Sequence, residues 1–323
     1  MVETKRRRSR SFLRPGRWAL GAILLFYCSA PSPVWAYSCS ITATNVAFGS
    51  VSVLGGAAVD VTATLNLSCK NAPHNASVRN CVSIDGGSAY DSTSREMIGP
   101  GALRFQLYSD SGRTTPWGSW PLSLYGGGYT WDVSSTASNL SASTTVYARI
   151  LASQQSVPPG SYSSTMNLYF TYQNNNSTAC PFSGQGNSST SFTATATVLS
   201  TCTVSATNLN FGTVGTLTSN IDATNSVSPT CTNGTPYNVG LDKGLYGSSV
   251  TTRQMKAGTA LINYSLCSNP GRTANWGGTV GVDTVAGTGT GSAQSLAVYG
   301  RIPPQTTPAP ATYSDTIVVT VTY

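Results

Sequence analysis

Cys202-Thr-Val-Ser-Ala-Thr-Asn-Leu-Asn-Phe211-Gly-Thr-Val214 restates, 163 residues on, the stretch Cys39-Ser-Ile-Thr-Ala-Thr-Asn-Val-Ala-Phe48-Gly-Ser-Val51. Seven of the thirteen positions are identical, and self-similarity of this kind marks a repeated structural unit. The match continues in chain order. Asp85 and Gly87 pair with Asp242 and Gly244, Arg95-Glu-Met97 with Arg253-Gln-Met255, and Phe105-Gln-Leu107 with Tyr264-Ser-Leu266. Arg113-Thr-Thr-Pro-Trp117-Gly118 pairs with Arg272-Thr-Ala-Asn-Trp276-Gly277, Val146-Tyr-Ala-Arg-Ile150 with Val298-Tyr-Gly-Arg-Ile302, and the run Tyr162 to Tyr172 with Tyr313 to Tyr323. The region after residue 36 is therefore two copies of one unit.

Each copy alternates short β-type runs with turn clusters of Gly, Pro, Asn and Ser. Val59-Asp-Val-Thr-Ala-Thr-Leu-Asn-Leu67 and Ile317-Val-Val-Thr-Val-Thr-Tyr323 show the period-two pattern, and no segment carries a helical period. The expected fold is all-β: two tandem immunoglobulin-like β-sandwich domains, over 37–199 and 200–323.

Only 9% of the 323 residues are charged, which argues against a coiled coil or a polyelectrolyte tail. The net charge of +7 is concentrated at the start of the chain, where seven basic groups lie between Lys5 and Arg17. They precede the apolar stretch from Trp18 to Cys28 and the small-residue site Val34-Trp35-Ala36, so residues 1–36 read as a signal peptide, too short in its apolar part to span a bilayer. The remainder is nearly neutral, which removes the case for a nucleic-acid partner.

Seven cysteines remain, consistent with export to an oxidising compartment. The spacings Cys39 to Cys69 and Cys202 to Cys231 predict one equivalent disulfide per copy. Cys81 and Cys180 lack counterparts in the second copy and are expected to pair, while Cys267 is left over as a buried small hydrophobe. His74 is the single histidine, so no zinc cluster is expected, nor any other metal or cofactor. His74 lies in a polar stretch, and Asp85, Asp91 and Glu96 do not form a persuasive carboxylate pair. Catalysis is not expected.

Cys202 with Phe211-Gly212 nine residues on, Cys231-Thr-Asn-Gly-Thr-Pro-Tyr237, Leu241-Asp-Lys-Gly244, Arg253-Gln-Met255, Trp276-Gly277, Val298-Tyr-Gly-Arg301 and a last strand opening on Tyr313, Asp315 and Thr316 resemble the spore coat protein U domain. That domain is shared with subunits of archaic, Csu-type chaperone-usher pili. The second copy matches nearly end to end. The first fits more loosely, with Ala148 where Gly300 stands and Ser164 where Asp315 stands. The resemblance implies an incomplete immunoglobulin-like fold whose groove is filled by a periplasmic chaperone during export, across an outer-membrane usher, and by a strand of the next pilus subunit in the fibre. On that reading Ile317, Val319, Val321 and Tyr323 form the donor-strand acceptor edge.

Two expectations follow. The alternating run Ser191-Phe-Thr-Ala-Thr-Ala-Thr-Val-Leu199 is expected to close the first copy from within the same chain. With only Tyr37 and Ser38 between the cleavage site and Cys39, the mature chain has no donor strand to offer and reads as the two-domain tip subunit, exported to the periplasm and then displayed at the cell surface. The corresponding function is a tip adhesin for surface attachment or biofilm formation. The alternatives are a structural spore or cell-surface coat protein and a free carbohydrate-binding module.

Ser119-Trp-Pro-Leu-Ser-Leu-Tyr-Gly-Gly-Gly-Tyr-Thr-Trp131 is rich in aromatics, whereas its counterpart in the second copy is not. Trp120, Leu122, Leu124, Tyr125, Tyr129 and Trp131 are accordingly the candidate contacts to an abiotic or host surface. Ile98-Gly-Pro-Gly101 and Val157-Pro-Pro-Gly160 are weaker candidates, and Trp117 and Trp276 recur in both copies as core or turn residues.

Overall fold

The computed structural model describes residues 37–323 apart from positions 73, 175, 176, 182 and 185. The signal-peptide reading of 1–36 lies outside the described residues. Among those described there is no helix.

In the first half, β-branched and aromatic residues at alternate positions build two facing sheets. The first sheet runs β1 (Ser38–Ala43), β3 (Val59–Lys70), β9 (Asn139–Ile150), β7 (Ala102–Tyr108), β6 (Arg95–Ile98) and β5 (Ala89–Tyr90), all antiparallel. The second runs β8 (Tyr129–Ser135), β4 (Ala76–Ile84), β10 (Gly160–Gln173), β11 (Gly186–Val198) and β2 (Val46–Val51). Between them lies one core that includes Leu65, Ile84, Phe105, Val146 and Leu168.

The second half repeats this plan with fewer strands. One sheet is β12 (Cys202–Ala206), β13 (Ile221–Cys231), β18 (Leu296–Ile302), β16 (Ala260–Cys267) and β15 (Arg253–Ala257). The facing sheet is β17 (Val285–Thr288), β14 (Pro236–Leu241) and β19 (Val319–Thr322). A separate core gathers Val227, Val239, Leu266, Trp276 and Val298. The fold is two tandem immunoglobulin-like sandwiches.

The shared motifs are braces that recur in both sandwiches. Buried Trp117 and Trp276 donate their indole Nε1–H to the carbonyls of Val82 (3.0 Å) and Val239 (2.7 Å). Arg95 and Arg253 are buried below them without a carboxylate partner. Each points its guanidinium at the equivalent three main-chain carbonyls, Asp85 (2.7 Å), Ile84 (2.9 Å) and Trp117 (2.8 Å) in the first half and Asp242 (2.8 Å), Leu241 (3.0 Å) and Trp276 (2.7 Å) in the second, and Arg253 adds a fourth, that of Val250 (2.8 Å). Burial lowers the pKa of both, that of Arg95 to about 10. Asp60 pairs with Arg149 and Arg113, and Asp222 with Arg301 and Arg272, across the same strands.

The cysteines pair as expected: Cys39 with Cys69, Cys81 with Cys180, and Cys202 with Cys231. Cys267 is free and buried, and burial pushes its thiol pKa up.

Candidate functional site

The two sandwiches differ where β11 lies. In the first half β11 is antiparallel to β10 over thirteen register pairs, Gly160↔Val198 to Tyr172↔Gly186, and parallel to β2 from Ala194↔Val46 to Val198↔Val51. Antiparallel to one neighbour and parallel to the other is the placement of the last strand of an immunoglobulin-like sandwich. Its inward side chains, Phe192, Ala194, Ala196 and Val198, are buried. So are the inward residues of β10: Tyr162, Ser164, Met166, Leu168, Phe170 and Tyr172. The expectation that this run closes the first copy from within is met.

The second half has no strand at the equivalent position among the described residues. Tyr313, Asp315, Ile317, Val319 and Val321 still alternate inward but are only half-buried, and Tyr323 is 58% exposed where its counterpart Tyr172 is 5% exposed. Val319 and Val321 pair with Leu241 and Val239 of β14 on one side. Their other side opens on a groove of about 720 Å3 whose walls include Leu209, Phe211, Ile317 and Val319 and whose floor includes Leu266 and Val298. Of the four expected edge residues, Ile317 and Val319 line this groove, Val321 continues the same edge, and Tyr323 lies beyond it.

Local chemistry fixes the groove's shape. Gly300, where the first half has Ala148, lets Leu209 and Phe211 lie on β18, since a Cβ there would meet Leu209 Cδ1 at 2.9 Å and Phe211 Cζ at 3.0 Å. Asp315 holds the groove wall to the loop after β14. Its carboxylate accepts from the Leu245 N–H (2.9 Å) and from the Tyr264 hydroxyl (2.7 Å), and burial with this carboxylate nearby raises the Tyr264 pKa. Asp242 accepts from the Val318 N–H at 2.9 Å and fixes the same segment one turn of the ladder on.

The aromatic stretch of the first half is folded back on its sandwich. Tyr129 and Trp131 belong to β8, opposite Val82 and Asn80, and pack against the core, with the Tyr129 ring 4.7 Å from that of Trp117. Tyr125 lies over the Arg95 guanidinium at 4.7 Å and donates its hydroxyl to the Asp91 carbonyl at 3.2 Å. Burial raises its pKa to about 12. Trp120 covers Gly127 and Gly128, and Leu124 exchanges main-chain bonds with Ser119. Of the six candidate residues only Leu122 is classed as exposed, at 48%. Sequence reasoning missed Tyr90, 50% exposed beside this loop. In the two turns held to be weaker candidates, Gly160 and Gly101 pack against Pro100 and Pro158.

The carboxylates considered for catalysis are engaged structurally. Asp85 accepts from Gly87 N–H, Asn167 N–H and the Asn167 amide, and Asp91 accepts from Thr93 and Ser94 and pairs with Arg104.

The Spore Coat Protein U domain matches residues 26–168 and again 188–320, and the chain belongs to that family. No curated protein matches it. Among solved structures, the CsuC-CsuE chaperone-tip adhesion subunit pre-assembly complex of the archaic chaperone-usher Csu pili of Acinetobacter baumannii is similar at 20% identity. The match covers 88% of this chain and 100% of that one with a TM-score of 0.53, a likeness of fold. The CupB6 tip adhesin of Pseudomonas aeruginosa matches at 12% identity over 88% of this chain and 93% of its own, with a TM-score of 0.39.

Proposed function

We propose that this tandem member of the Spore Coat Protein U family is the tip subunit of a chaperone-usher pilus, a non-enzymatic adhesin. One observation carries the reading: the same groove is filled by β11 in the first half and open in the second. A subunit that keeps its own donor strand and accepts another's ends a head-to-tail fibre. Residues 37–199 then form the adhesin-type domain and 200–323 the pilin-type domain. The partners are a periplasmic chaperone and an outer-membrane usher during export, and the next subunit's donor strand in the fibre. The path is export, periplasm, then cell surface.

The inserted strand would supply main-chain hydrogen bonds to the free side of β19 and alternate apolar side chains to the groove, as β11 does beside β10. Adhesion is assigned to the first half, through the flank formed by Trp120 and Leu122.

The test is urea unfolding of the full chain with and without a peptide copying residues 190–199, which carries the inward pattern of β11. Two transitions are expected, with the peptide raising only the less stable one. A single transition unmoved by this peptide, and by donor segments from subunits encoded alongside this chain, would overturn the reading.

A further inference from the structure

β11 does more than fill the first groove, because its other face extends the outer surface of the sheet. In the β10–β11 register the outward rungs include Ser163↔Thr195, Thr165↔Thr193 and Asn167↔Ser191. From 161 to 171 on β10 and from 187 to 197 on β11, every outward residue is Ser, Thr, Asn or Tyr, and nearly all are exposed. None is charged or aliphatic. Among the described residues, the hydroxyls of Ser163, Thr165, Thr193 and Thr195 have no hydrogen-bond partner, while the main-chain N–H groups of Thr165 and Thr193 donate to Ser88 Oγ and Asn45 Oδ1, each at 3.0 Å. Successive rungs are ~7 Å apart along the strands and the two columns ~4.8 Å apart.

One end of this ladder is aromatic. Tyr169, 38% exposed, faces Ser83 across the β4–β10 pairing. Trp120 N–H in turn lies 3.4 Å from the Ser83 hydroxyl, so the indole-bearing loop sits beside the tyrosine. Charge lies off these two strands: the outer surface of the opposite sheet carries the Asp60–Arg149 and Asp60–Arg113 ion pairs and Lys70, and on this sheet the Arg79–Asp132 pair lies on β4 and β8, beyond β10. The second half has only the single column Ser314, Thr316, Val318 and Thr320, interrupted by exposed Val318.

We infer that the β10–β11 face binds an extended, uncharged polysaccharide. A flat double row of hydroxyls, each both donor and acceptor, matches a chain whose own edge is hydroxyls. The absence of charge on the face disfavours polyanions, which would lose hydration without ionic compensation. Tyr169 offers an aromatic surface on which a sugar ring stacks. A lipid or an apolar protein partner finds no apolar surface along the rungs. The inference does not depend on how the second half is assembled.

The full chain is mixed with microcrystalline cellulose and sedimented. It is expected to co-sediment, to stay bound in ~1 M NaCl, where ionic contacts are screened, and to resist release by excess alginate, a polyanion. Thr165→Lys with Thr195→Lys should lower the affinity at least about tenfold, and Tyr169→Ala should do so without adding charge. Thr62→Lys with Thr145→Lys, on the opposite sheet, should leave binding unchanged, and melting curves identify any variant that fails to fold. No co-sedimentation, release by salt or alginate, indifference to both ladder variants, or an equal loss in the opposite-face variant would each overturn the inference.

Discussion

Phe192 lies opposite Met166 in the β10–β11 ladder, and both side chains are buried in the first core. Phe192 is the largest inward residue of the closing strand, so the stability of the first sandwich depends on it. Phe192→Ala is expected to cost about 3–5 kcal/mol. In urea unfolding of the full chain, the first-half transition should move while that of the second half stays in place.

Ile317 is the counterpart of Met166 and lines the open groove. A charge there would be buried by any inserted strand without a partner. Ile317→Arg is expected to weaken donor-peptide binding at least about tenfold, measured by fluorescence anisotropy of a labelled peptide. The first-half transition should not change.

The aromatic flank separates two kinds of residue. Leu122→Ser with Trp120→Ser should reduce attachment of piliated cells with little loss of melting temperature. Trp131→Ser, in a side chain packed on the core, should lower the melting temperature first, by about 2–4 kcal/mol of stability. Attachment unaffected by the first pair would remove the flank from the adhesive surface.

Arg95 satisfies three main-chain carbonyls and the Gln106 side-chain oxygen at once. Arg95→Lys keeps the charge but loses the planar fork. With one to three kcal/mol at stake per orphaned buried acceptor, a loss of about 3 kcal/mol is expected, and Arg253→Lys should do the same to the second half. Calorimetry of each variant reads the two transitions separately.

Hydrogen bonds from Arg149 and Arg301 hold the carboxyls of Asp60 and Asp222 below the usual carboxylate range. A depressed folded-state pKa contributes stability that is present above the unfolded value of about 3.9 and lost as pH falls through the folded value. The melting temperature should therefore be flat from about pH 5 to 7 and fall below about pH 4. Asp60→Asn with Asp222→Asn should flatten that fall, measured by melts across the acid range.

Much of this architecture was legible in the sequence because it is local and periodic. The repeat fixed the number of sandwiches, and the alternation in 191–199 identified a closing strand. The equal cysteine spacings identified one disulfide per copy, and the lack of counterparts for Cys81 and Cys180 identified the third. The fate of the aromatic stretch was not legible, because it depends on contacts distant in sequence. Tyr125 is turned inward by Arg95, thirty residues upstream, through a backbone with positive φ at Ser123 and Tyr125. Trp120 finds its seat only because Gly127 and Gly128 present no side chain. Composition marks such a loop as apolar but says nothing of which side it shows to water. The hydroxyl face escaped notice for a related reason, since Ser and Thr are common throughout the chain and acquire meaning only when two strands set them in register.

β11 also sets how the molecule would respond to tension. It runs through Leu199 into the second half, so a pull on that half acts along the strand's length. Its thirteen register pairs with β10 would then be loaded together in shear and could not open one at a time. Six residues before β11 begins, Cys180 is bonded to Cys81 on β4. If the ladder slipped, the load would pass by covalent bonds through that disulfide into the body of the sandwich, and the strand could not be drawn out while the bond held.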